Sequence, residues 1–565
     1  MARIRLISIL ILVIAVLFIG RLYFLQVVDN QIYLDKGNRQ YSQSAGGIFD
    51  RGTIYFTDKK GNQVAAATLQ SGFTVAVNPE ILKNPESVYT QINTVITAHN
   101  STPLDHDTFI TKATKKNDPY EEIATHVDQD TGKALAALHI TGLSVYQERW
   151  RFYPAGDVAA NTVGFMAYQG NTYAGRYGLE SQYDTTLARD DNAYVNFFAQ
   201  IFSNMKQTQA GLAEGDIVTS IEPTVQSMLQ TELEKVQTEY HSQATGGIIV
   251  NPKTGAIYAM GIVPSFDLNN TKNVTDVSLF ENPLVENVYE MGSIIKPLTV
   301  SAGIDLGMIT ASSTYNDTGC ITVNGKSLCN FDRLARGTTS IQTALGQSLN
   351  VGMAHIVAVI GDDNFDKYFY GFGIGQKTNI DLPNEAQDIV TNLQAPRQLE
   401  HMDAAFGQGI ALTPVATVRA LSAVANGGVL ITPHVVTAID YTDGLSKTLS
   451  YPAQGRAIQQ STSQEVTRMM VYDVDNILSQ GKDKMPGYSI AAKTGTAQIA
   501  GPGGYSATDF LHSFVGYFPA YDPQFLIFLY TVKPQGVQYS SESLTNPFFD
   551  VVHFLINYYE IPPDR

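Results

Sequence analysis

Residues 291–297 read Met-Gly-Ser-Ile-Ile-Lys-Pro, and an apolar run follows from Leu298 to Met308. The run predicts a helix that starts near Ser293, where Pro297 costs at most one backbone hydrogen bond. Because Ser293 and Lys296 are three residues apart, one helical turn brings their side chains together. A serine hydroxyl becomes a strong nucleophile when a neighbouring base takes its proton, and a lysine can be that base if burial or nearby cations lower its pKa. Ser293 is therefore a candidate nucleophile for acyl transfer, with Lys296 as its base.

The spacing alone is a weak signal, because Ser203 and Lys206 have it as well. A single S-x-x-K is in most cases no more than a solvated helical turn. The pattern gains meaning only when the other parts of a catalytic site follow it in order along the chain.

A second candidate part is the segment Gly346–Asn350, which reads Gly-Gln-Ser-Leu-Asn and joins two apolar helical segments. At such a junction the hydroxyl of Ser348 can relay a proton, and the amide of Asn350 can hold a substrate carbonyl. Taken on its own, the segment would serve equally well as a helix cap.

The third part lies in Tyr488–Gln498, a segment that predicts a strand. Strand alternation puts Lys493 and Gly495 on one face. The positive charge of the lysine can bind a substrate carboxylate, or it can act electrostatically on the groups around the catalytic serine. The glycine leaves room beside the ammonium group for a substrate backbone.

The neighbouring threonines add hydrogen-bonding groups to this third part. Thr494 and Thr496 offer their hydroxyls to a substrate carboxylate. The backbone N–H of Ser293, at a helix N-terminus, and the backbone N–H of Thr496 are candidates for the two donors that stabilise an oxyanion.

Order along the chain separates this set from the decoy at Ser203. The decoy is followed by the turn Lys253-Thr254-Gly255, but no S-x-N lies between them. Ser293, Ser348 and Lys493 occur in the required order, each on the kind of element that its chemistry needs. Three weak signals in series thus predict one site.

Composition limits the class of protein. The 565 residues can form two to four domains, and 44% of them are hydrophobic, which is enough for sizeable cores. Lys and Arg number 37 against 53 Asp and Glu, and the net charge of −16 argues against a nucleic-acid partner. The ten histidines show no metal-ligand spacing, so we expect no metal site and no cofactor.

The two cysteines, Cys320 and Cys329, lie on either side of a predicted hairpin that turns at Asn324-Gly325. A hairpin brings the two thiols face to face, close enough for a disulfide in an oxidising compartment. Two separate reduced thiols are an equally open alternative.

The amino terminus predicts a membrane anchor. The stretch Leu6–Val28 is mostly apolar and long enough to cross a bilayer, and Arg21 near its end can reach the interface. Arg3 and Arg5 favour a short cytoplasmic tail, with everything after residue 28 on the far side of the membrane. A cleaved signal peptide is the alternative, but no small-x-small cleavage site follows the run.

The rest of the chain is predicted to divide near residue 215. Residues 29–215 are mixed and mostly polar and assemble no complete site, so we expect a non-catalytic pedestal domain there. Residues 216–565 contain all three parts of the site and form the expected catalytic domain. Local patterns predict a turn and edge strand within Gly46–Asp58 with a turn back at Lys60-Gly61, helices at Pro85–Ala98 and Gly132–Leu138, a strand at Asp216–Glu222, a helix at Thr224–Tyr240, a hairpin over Gly246–Met260, strands at His512–Phe518 and Phe525–Val532, and a final helix at Pro547–Tyr559.

The ordered S-x-x-K, S-x-N and K-T-G motifs resemble the active-site motifs of penicillin-binding proteins and serine β-lactamases. Nearly the whole chain resembles a class B penicillin-binding protein, a membrane-anchored peptidoglycan transpeptidase. Met291 stands where this family usually has proline, and Ile294 where it often has threonine. Further resemblance lies in Arg51-Gly52, Arg151-Phe152-Tyr153-Pro154, Gly175–Glu180, Pro264–Asp267, Gly371–Gly373, Asp381-Leu382-Pro383, Gly407-Gln408-Gly409, Thr413-Pro414 and Asn426–Gly428.

The resemblance implies an α+β multidomain fold. A single transmembrane helix in residues 1–28 would carry an elongated, dimerisation-like pedestal and a penicillin-binding transpeptidase domain, in which helices sandwich an antiparallel sheet beside a helical lobe. Ser293 would attack the penultimate D-alanine carbonyl of a stem peptide, release the terminal D-alanine and pass the acyl group to an amine of a neighbouring stem. β-Lactams would imitate the D-Ala-D-Ala end and acylate Ser293 at the outer face of a bacterial plasma membrane.

The resemblance leaves several functions open. Cross-linking during cell division is expected, with a polytopic glycosyltransferase and other division proteins as partners, and elongation of the wall is the alternative. A D,D-carboxypeptidase or β-lactamase-like hydrolase is a second alternative, although hydrolysis needs neither an anchor nor a pedestal. A catalytically silent scaffold or β-lactam sensor is a third, against which the intact Lys296 and Lys493 argue.

Overall fold

The computed structural model describes residues 49–99, 102–169, 172–189, 214–501 and 503–565. The predicted anchor at residues 1–28 and the decoy pair Ser203 and Lys206 lie outside these ranges. Within the described ranges, no helix is long and apolar enough to cross a bilayer.

The described chain divides into two compact units. Residues 69–151 form most of the smaller unit, and residues 52–68, 152–188 and 214–565 form the larger one. Residues 52–68 and 152–188, which the sequence assigned to the pedestal, thus belong to the larger unit. The chain enters and leaves the smaller unit more than once, and no local sequence pattern marks such crossings.

The described elements up to residue 189 are strands and helices of 4 to 15 residues. In chain order they are β1 (Ile54–Thr57), β2 (Gln63–Val77), α1 (Pro85–Ala98), α2 (His106–Ala113), β3 (Glu121–Val127), α3 (Gln129–Ala136), β4 (Leu143–Phe152), α4 (Ala160–Val163), β5 (Met166–Gln169), β6 (Thr172–Gly175), α5 (Gly178–Gln182) and α6 (Asp184–Leu187). The antiparallel pairing of β1 with β2 confirms the predicted strand and its turn back at Lys60-Gly61. The prediction of an edge strand is wrong, because β1 also pairs on its other side with the strand Gly215–Thr219.

The smaller unit is organised around α1, which has the predicted bounds Pro85–Ala98. Proline fills the first turn of the helix, and buried apolar residues recur at every fourth position, so one face turns to the core. β3 and β4 both pair with β2 in this unit. The core contains Val75, Val77, Leu82, Val88, Ile92, Ile96, Phe109, Ala113 and Leu135.

The described chain from residue 214 onward holds the remaining elements of the larger unit. They are β7 (Gly215–Thr219), α7 (Pro223–Tyr240), β8 (Ala244–Val250), β9 (Ile257–Val263), α8 (Pro283–Glu286), α9 (Lys296–Asp305), β10 (Thr314–Asp317), β11 (Cys320–Val323), β12 (Lys326–Cys329), β13 (Gly337–Ser340), α10 (Ile341–Gly346), α11 (Asn350–Ile360), α12 (Asp362–Gly371), α13 (Gln398–Ala404), α14 (Pro414–Ala425), β14 (Val429–Leu430), β15 (Val436–Tyr441), β16 (Ser446–Thr448), β17 (Gly455–Arg456), α15 (Gln460–Asn476), β18 (Ala491–Gly501), β19 (Gly504–Phe518), β20 (Phe525–Val532), α16 (Ser540–Ser543) and α17 (Thr545–Tyr559), with 3₁₀ turns at Thr271–Asn273, Val277–Phe280, Gly292–Ile295, Thr391–Gln394 and Leu478–Gly481.

A five-stranded antiparallel sheet with the order β18-β19-β20-β8-β9 forms the centre of the larger unit. Its strands are apolar on both faces because helices cover both. In β8, Ile248 and Val250 belong to one core, and Ile249, between them, belongs to the other. The first core includes Leu298 of α9, and the second includes Leu229 of α7. The predicted sheet between layers of helices is confirmed.

The buried helix α9 anchors the turn that directly precedes it, Gly292–Ile295. All residues from Lys296 to Gly303 are buried, as expected of a helix that is apolar on every side. The helix that the sequence predicts to start near Ser293 and to include Leu298–Met308 therefore exists, but it begins later, at Lys296, and ends earlier, at Asp305. The residues immediately before it form a 3₁₀ turn.

The predicted cysteine hairpin is formed by β11 and β12, in which Cys320 lies opposite Cys329. Asn324 and Gly325 both have positive φ, as a two-residue hairpin turn requires. The two cysteines are joined by a disulfide, so the alternative of separate thiols is wrong.

Most of the other local predictions agree with the structure within a few residues. The strand predicted at Phe525–Val532 has those bounds, and the predicted final helix begins two residues earlier, at Thr545. The hairpin expected over Gly246–Met260 is formed by β8 and β9. The helix expected at Gly132–Leu138 begins and ends earlier, at Gln129–Ala136, because Asp128 caps its N-terminus with its side chain.

Candidate active site

The segment of Ser293 is a turn of 3₁₀ helix and not the start of an α-helix. The turn spans Gly292–Ile295, and α9 follows directly at Lys296. In 3₁₀ geometry the side chains of residues i and i+3 eclipse each other, so Ser293 and Lys296 project to the same side. Ser293 is half-buried, and no residue in the described ranges donates a hydrogen bond to its hydroxyl or accepts one from it. The hydroxyl is thus available to a substrate.

Contacts of the main chain hold this turn in position. The N–H of Gly292 donates to the carbonyl of Gly407 at 3.1 Å, and the hydroxyl of Ser513 donates to the carbonyl of Met291 at 2.7 Å. Gly407 has φ +80°, and a Cβ at this residue would lie 2.2 Å from the carbonyl oxygen of Gly292. A glycine is therefore needed for this close approach.

Ser348 occupies the sharp turn between α10 and α11. Its φ is +57°, in the left-handed region that a non-glycine residue adopts only when its surroundings impose it. The N–H of Ser348 donates to the carbonyl of Leu345 at 3.1 Å, and the N–H of Leu349 donates to that of Ala344 at 2.8 Å. These bonds close the end of α10 and turn the chain into α11, so the predicted junction of two helices is confirmed.

Lys296 is fully buried, and three acceptors surround its ammonium group. Its Nζ lies 2.6 Å from the carbonyl oxygen of Ser348, 3.2 Å from the Ser348 hydroxyl and 2.8 Å from Oδ1 of Asn350. Burial, and next the positive charge of Lys493, lower the pKa of Lys296 well below its ordinary value. A lysine in these surroundings can become neutral at physiological pH and accept a proton from a hydroxyl.

Asn350 links this lysine to the cysteine hairpin. Its Oδ1 accepts from Lys296, and its Nδ2 donates to the carbonyl of Cys329 at 2.9 Å. The two contacts fix which end of the amide faces the lysine. The second hydrogen of Nδ2 has no acceptor among the described residues, and its predicted bond to a substrate carbonyl stays a prediction.

Lys493, on the edge strand β18, reaches the same hydroxyl of Ser348. Its Nζ lies 3.2 Å from Ser348 Oγ and 3.0 Å from the carbonyl oxygen of Thr494. Burial lowers the pKa of Lys493 to about 8, although the carboxylate of Asp473 opposes this shift. Lys493 is thus the lysine of the pair that keeps its charge at neutral pH.

Gly495 makes room for the Ser293 turn. A Cβ at this glycine would lie 2.3 Å from Oγ of Ser513 and 2.8 Å from the carbonyl oxygen of Met291. A side chain here would push the strand away from the nucleophile. The structure thus gives Gly495 a packing role, and the room for a substrate backbone that the sequence led us to expect stays a prediction.

The two threonines of β18 are half-buried. The hydroxyl of Thr496 accepts from the N–H of Ser540 at 3.1 Å. A Cβ on Gly292 would lie 3.2 Å from the backbone of Thr496, so the main chains of Thr496 and Ser293 are neighbours. Because β18 is an edge strand, alternate N–H groups along it point away from the sheet. The pairing of these two N–H groups as an oxyanion hole stays a prediction.

The motifs thus share one cluster, in which Lys296, Ser348, Asn350 and Lys493 are joined by hydrogen bonds and Ser293 lies on the adjoining turn. Sequence reasoning missed Ser513 and Asp473, which no local pattern marks. Within the described ranges, no group of three or more His, Cys, Asp and Glu residues is arranged to hold a metal ion.

Comparison with family models gives two matches. The model of the penicillin binding protein transpeptidase domain matches residues 245–552, more than half of the chain and the part that holds all three motifs. The model of the penicillin-binding protein dimerisation domain matches residues 49–196.

Curated relatives match over most of the chain. It is 28% identical over 515 residues to stage V sporulation protein D of Bacillus subtilis (strain 168), a match that covers 88% of this chain and 76% of that protein. It is 23% identical over 543 residues to peptidoglycan D,D-transpeptidase FtsI of Escherichia coli (strain K12), with 94% and 88% covered.

Solved structures share the fold. Penicillin binding protein 2X of Streptococcus thermophilus superposes with a TM-score of 0.72 at 20% identity, covering 91% of this chain and 80% of that one. Penicillin binding protein 3 of Mycobacterium tuberculosis, complexed with aztreonam, gives a TM-score of 0.68 at 21% identity, with 92% and 98% covered. The likeness establishes a two-domain, mixed α/β architecture for this chain.

Proposed function

This chain belongs to the penicillin-binding protein transpeptidase family, and on that premise we propose that it is a peptidoglycan D,D-transpeptidase with Ser293 as its nucleophile. One observation carries the proposal: the hydroxyl of Ser348 lies 3.2 Å from the ammonium groups of both Lys296 and Lys493. A base, a proton relay and a positive charge are thus gathered beside a serine that has no competing hydrogen bond among the described residues.

The first half-reaction acylates the enzyme. Neutral Lys296 takes the proton of Ser293, and the serine oxygen attacks the penultimate D-alanine carbonyl of a stem peptide. When the tetrahedral intermediate collapses, the peptide C–N bond breaks. The proton then passes from Lys296 through the hydroxyl of Ser348 to the amine of the departing D-alanine. Ser293 is left as an ester, and Lys296 is neutral again.

The second half-reaction forms the cross-link. The amine of a neighbouring stem attacks the ester carbonyl and gives up a proton to Lys296 through the Ser348 hydroxyl. The C–O bond of the ester breaks, and the oxygen of Ser293 recovers a proton from Lys296. The product is a new amide bond between two stems.

Binding of the substrate needs a positive site and two aligned donors. We assign the carboxylate of the terminal D-alanine to the Lys493 ammonium and to the hydroxyls of Thr494 and Thr496. The N–H groups of Ser293 and Thr496 stabilise the oxyanion, which is supported by the proximity of their main chains. β-Lactams present an equivalent carboxylate and carbonyl. Their ring C–N bond opens on attack, and the ester on Ser293 persists because the leaving amine stays tethered.

The test uses the full-length chain and a labelled penicillin. We expect a covalent adduct that mass spectrometry locates on Ser293, that persists for much longer than the labelling reaction, and that Ser293→Ala abolishes. Ser203→Ala, at the decoy motif, is the matched control and should label like the wild type. Release of the label within minutes would indicate a hydrolase, and absence of any adduct would indicate a silent scaffold.

The site of action is the second part of the proposal. We propose that residues 1–28 form a single transmembrane helix and that residues 29–215 act as the pedestal that holds residues 216–565 outside a bacterial plasma membrane. The apolar run Leu6–Val28 and the dimerisation-domain match at residues 49–196 support this arrangement. Fractionation of cells, followed by protease treatment of intact spheroplasts, tests it: the catalytic domain should be membrane-bound and accessible from outside.

We place the activity in cell division, with a polytopic glycosyltransferase contacting the membrane helix and the pedestal, and with wall elongation as the alternative. The similarity to peptidoglycan D,D-transpeptidase FtsI of Escherichia coli (strain K12) supports this assignment. A fluorescent fusion decides between the two: a band at the division site supports division, whereas patches along the side wall support elongation.

A further inference from the structure

The hydroxyl of Thr496 on β18 accepts a hydrogen bond from the segment that follows the central sheet. Its Oγ1 accepts from the N–H of Ser540 at 3.1 Å, and Ser540 is the first residue of α16. The hydrogen of this hydroxyl has no acceptor among the described residues. A hydroxyl that accepts at a lone pair keeps its hydrogen to donate elsewhere. The Ser540 N–H thus orients the Thr496 hydroxyl as a donor.

The segment Gln538–Ser543 that carries this N–H is anchored by the side chain of His512. His512 lies opposite Thr496 in the pairing of β19 with β18, so both side chains are on one face of the sheet. Its Nε2 lies 3.1 Å from the carbonyl oxygen of Gln538, and its Nδ1 lies 2.8 Å from Oγ of Ser543. Because a carbonyl only accepts, Nε2 carries the hydrogen, and Nδ1 accepts from the Ser543 hydroxyl.

This anchor is stable near neutral pH. His512 is fully buried, and burial lowers the pKa of its imidazole to about 4, so the ring stays neutral. The carboxylate of Glu542 makes a second contact, since it accepts from the N–H of Gln538 at 3.0 Å and from that of Tyr539 at 2.8 Å. Contacts within the protein thus hold the segment in place before any substrate binds.

We propose that Ser540 and His512 are positioning residues that direct the Thr496 hydroxyl toward the substrate carboxylate and so make the enzyme selective for acyl donors with a free terminal carboxylate. The inference rests on the function proposed above, which assigns that carboxylate to Lys493, Thr494 and Thr496. An ammonium group attracts any nearby anion, whereas a hydroxyl with a fixed direction donates well only to an acceptor in one place. Ser540 and His512 act through Thr496 and make no contact with the substrate.

The test compares two labelled probes, a penicillin with its free carboxylate and the methyl ester of the same penicillin. The full-length wild type should acylate faster with the free acid, and the ratio of the two second-order rates measures the preference for a carboxylate. Thr496→Val, which removes the hydroxyl, should lower this ratio by about ten-fold or more, the range of a hydrogen bond to a charged group. The intrinsic reactivity of each probe cancels when variants are compared.

Ser540→Pro removes the N–H with little other change. The first position of a helix tolerates proline, and the preceding Tyr539 has φ −119° and ψ 144°, a conformation that is favourable before proline. The Ser540 hydroxyl is buried and makes no hydrogen bond among the described residues, so none is lost with it. We expect a ratio about three- to ten-fold lower than in the reference variant Ser540→Ala, which keeps the N–H.

A double variant shows whether the segment acts through Thr496. Ser540→Pro combined with Thr496→Val should have the ratio of Thr496→Val alone, because no hydroxyl remains to be oriented. Ser543→Ala, which removes one of the two contacts of His512, should lower the ratio by a smaller factor than Ser540→Pro. Ser461→Ala, at an exposed serine of α15, is the matched control and should leave both rates unchanged.

The outcomes separate this inference from the proposed function. If the wild type forms no adduct, the transpeptidase assignment fails. If the wild type labels equally fast with both probes, the carboxylate site is refuted, and this inference with it. If the wild type prefers the free acid, but Ser540→Pro has the ratio of Ser540→Ala or lowers the ratio further when Thr496 is already valine, the role of the segment is refuted and the transpeptidase assignment is not. If Ser540→Pro does not fold, the ratio in Ser543→Ala decides.

Discussion

The ammonium nitrogens of Lys296 and Lys493 share one hydroxyl, since each lies 3.2 Å from Oγ of Ser348. Two positive charges on one small acceptor repel each other, so the cluster favours a state in which one lysine is neutral. The pKa of Lys296 falls well below its ordinary value, while that of Lys493 is about 8. A neutral Lys296 can accept a hydrogen bond from Ser348, and a proton then has a continuous path through the hydroxyl.

Replacement of the base should abolish acylation and leave the fold intact. In Lys296→Ala we expect labelling by penicillin to slow by about a hundred- to ten-thousand-fold, the range that a general base contributes. Lys296→Met, which keeps most of the volume of the buried side chain, should lose labelling equally. Lys206→Ala, at the decoy motif, serves as the matched control. Labelling of either Lys296 variant at the wild-type rate would refute the assignment of the base.

The wild-type enzyme should acylate in a window of pH set by the two lysines. Below the pKa of Lys296 the base is protonated, so the rate rises with pH until this lysine is neutral. Above about 8, Lys493 loses the charge that binds the substrate carboxylate, so the rate falls again. The measurement is the second-order rate of penicillin acylation as a function of pH. A rate that kept rising well above pH 8 would contradict the role of Lys493.

Two substitutions of Ser348 should separate the role of its hydroxyl in the reaction from the strain of its positive φ. Ser348→Ala and Ser348→Gly both remove the shared hydroxyl and should slow acylation by similar factors. The residue has φ +57°, which glycine adopts without strain. We therefore expect Ser348→Gly to have the higher free energy of unfolding, by about 0.5–1 kcal/mol over Ser348→Ala. Denaturant unfolding checks the stability and penicillin labelling checks the rate; a large rate difference between the variants would contradict the relay.

Gly407 should prove essential to the position of the nucleophile. In Gly407→Ala the new Cβ would lie 2.2 Å from the carbonyl oxygen of Gly292, so the Ser293 turn must move. We expect acylation to slow by at least about ten-fold and the free energy of unfolding to fall by about 1–3 kcal/mol.

Gly307→Ala is the matched control for this prediction. Gly307 has φ +68° and no atom within 4 Å of an added Cβ, so the variant has the same left-handed strain without the clash. Its acylation rate should equal that of the wild type. Equal loss of activity in both variants would show that backbone strain, and not contact with the nucleophile turn, is responsible.

The sequence by itself determined the elements whose causes are local. Residues Pro85–Ala98 form the expected helix because a proline start and a four-residue apolar repeat are short-range signals. The turn at Asn324-Gly325 determines the register that sets Cys320 opposite Cys329. The order of the three active-site motifs is likewise a property of the chain and needs no coordinates.

Only the tertiary structure decided how those parts act on each other. The 3₁₀ form of the Ser293 turn depends on Gly407 and Ser513, and the burial that lowers the pKa of Lys296 depends on helices from distant parts of the chain. Asp473 lies against the base of the Ser348 turn because Gly346 has no side chain there. Local periodicity records which way a residue faces and not which distant segment it meets, so these contacts, and the charges they control, follow only from the folded chain.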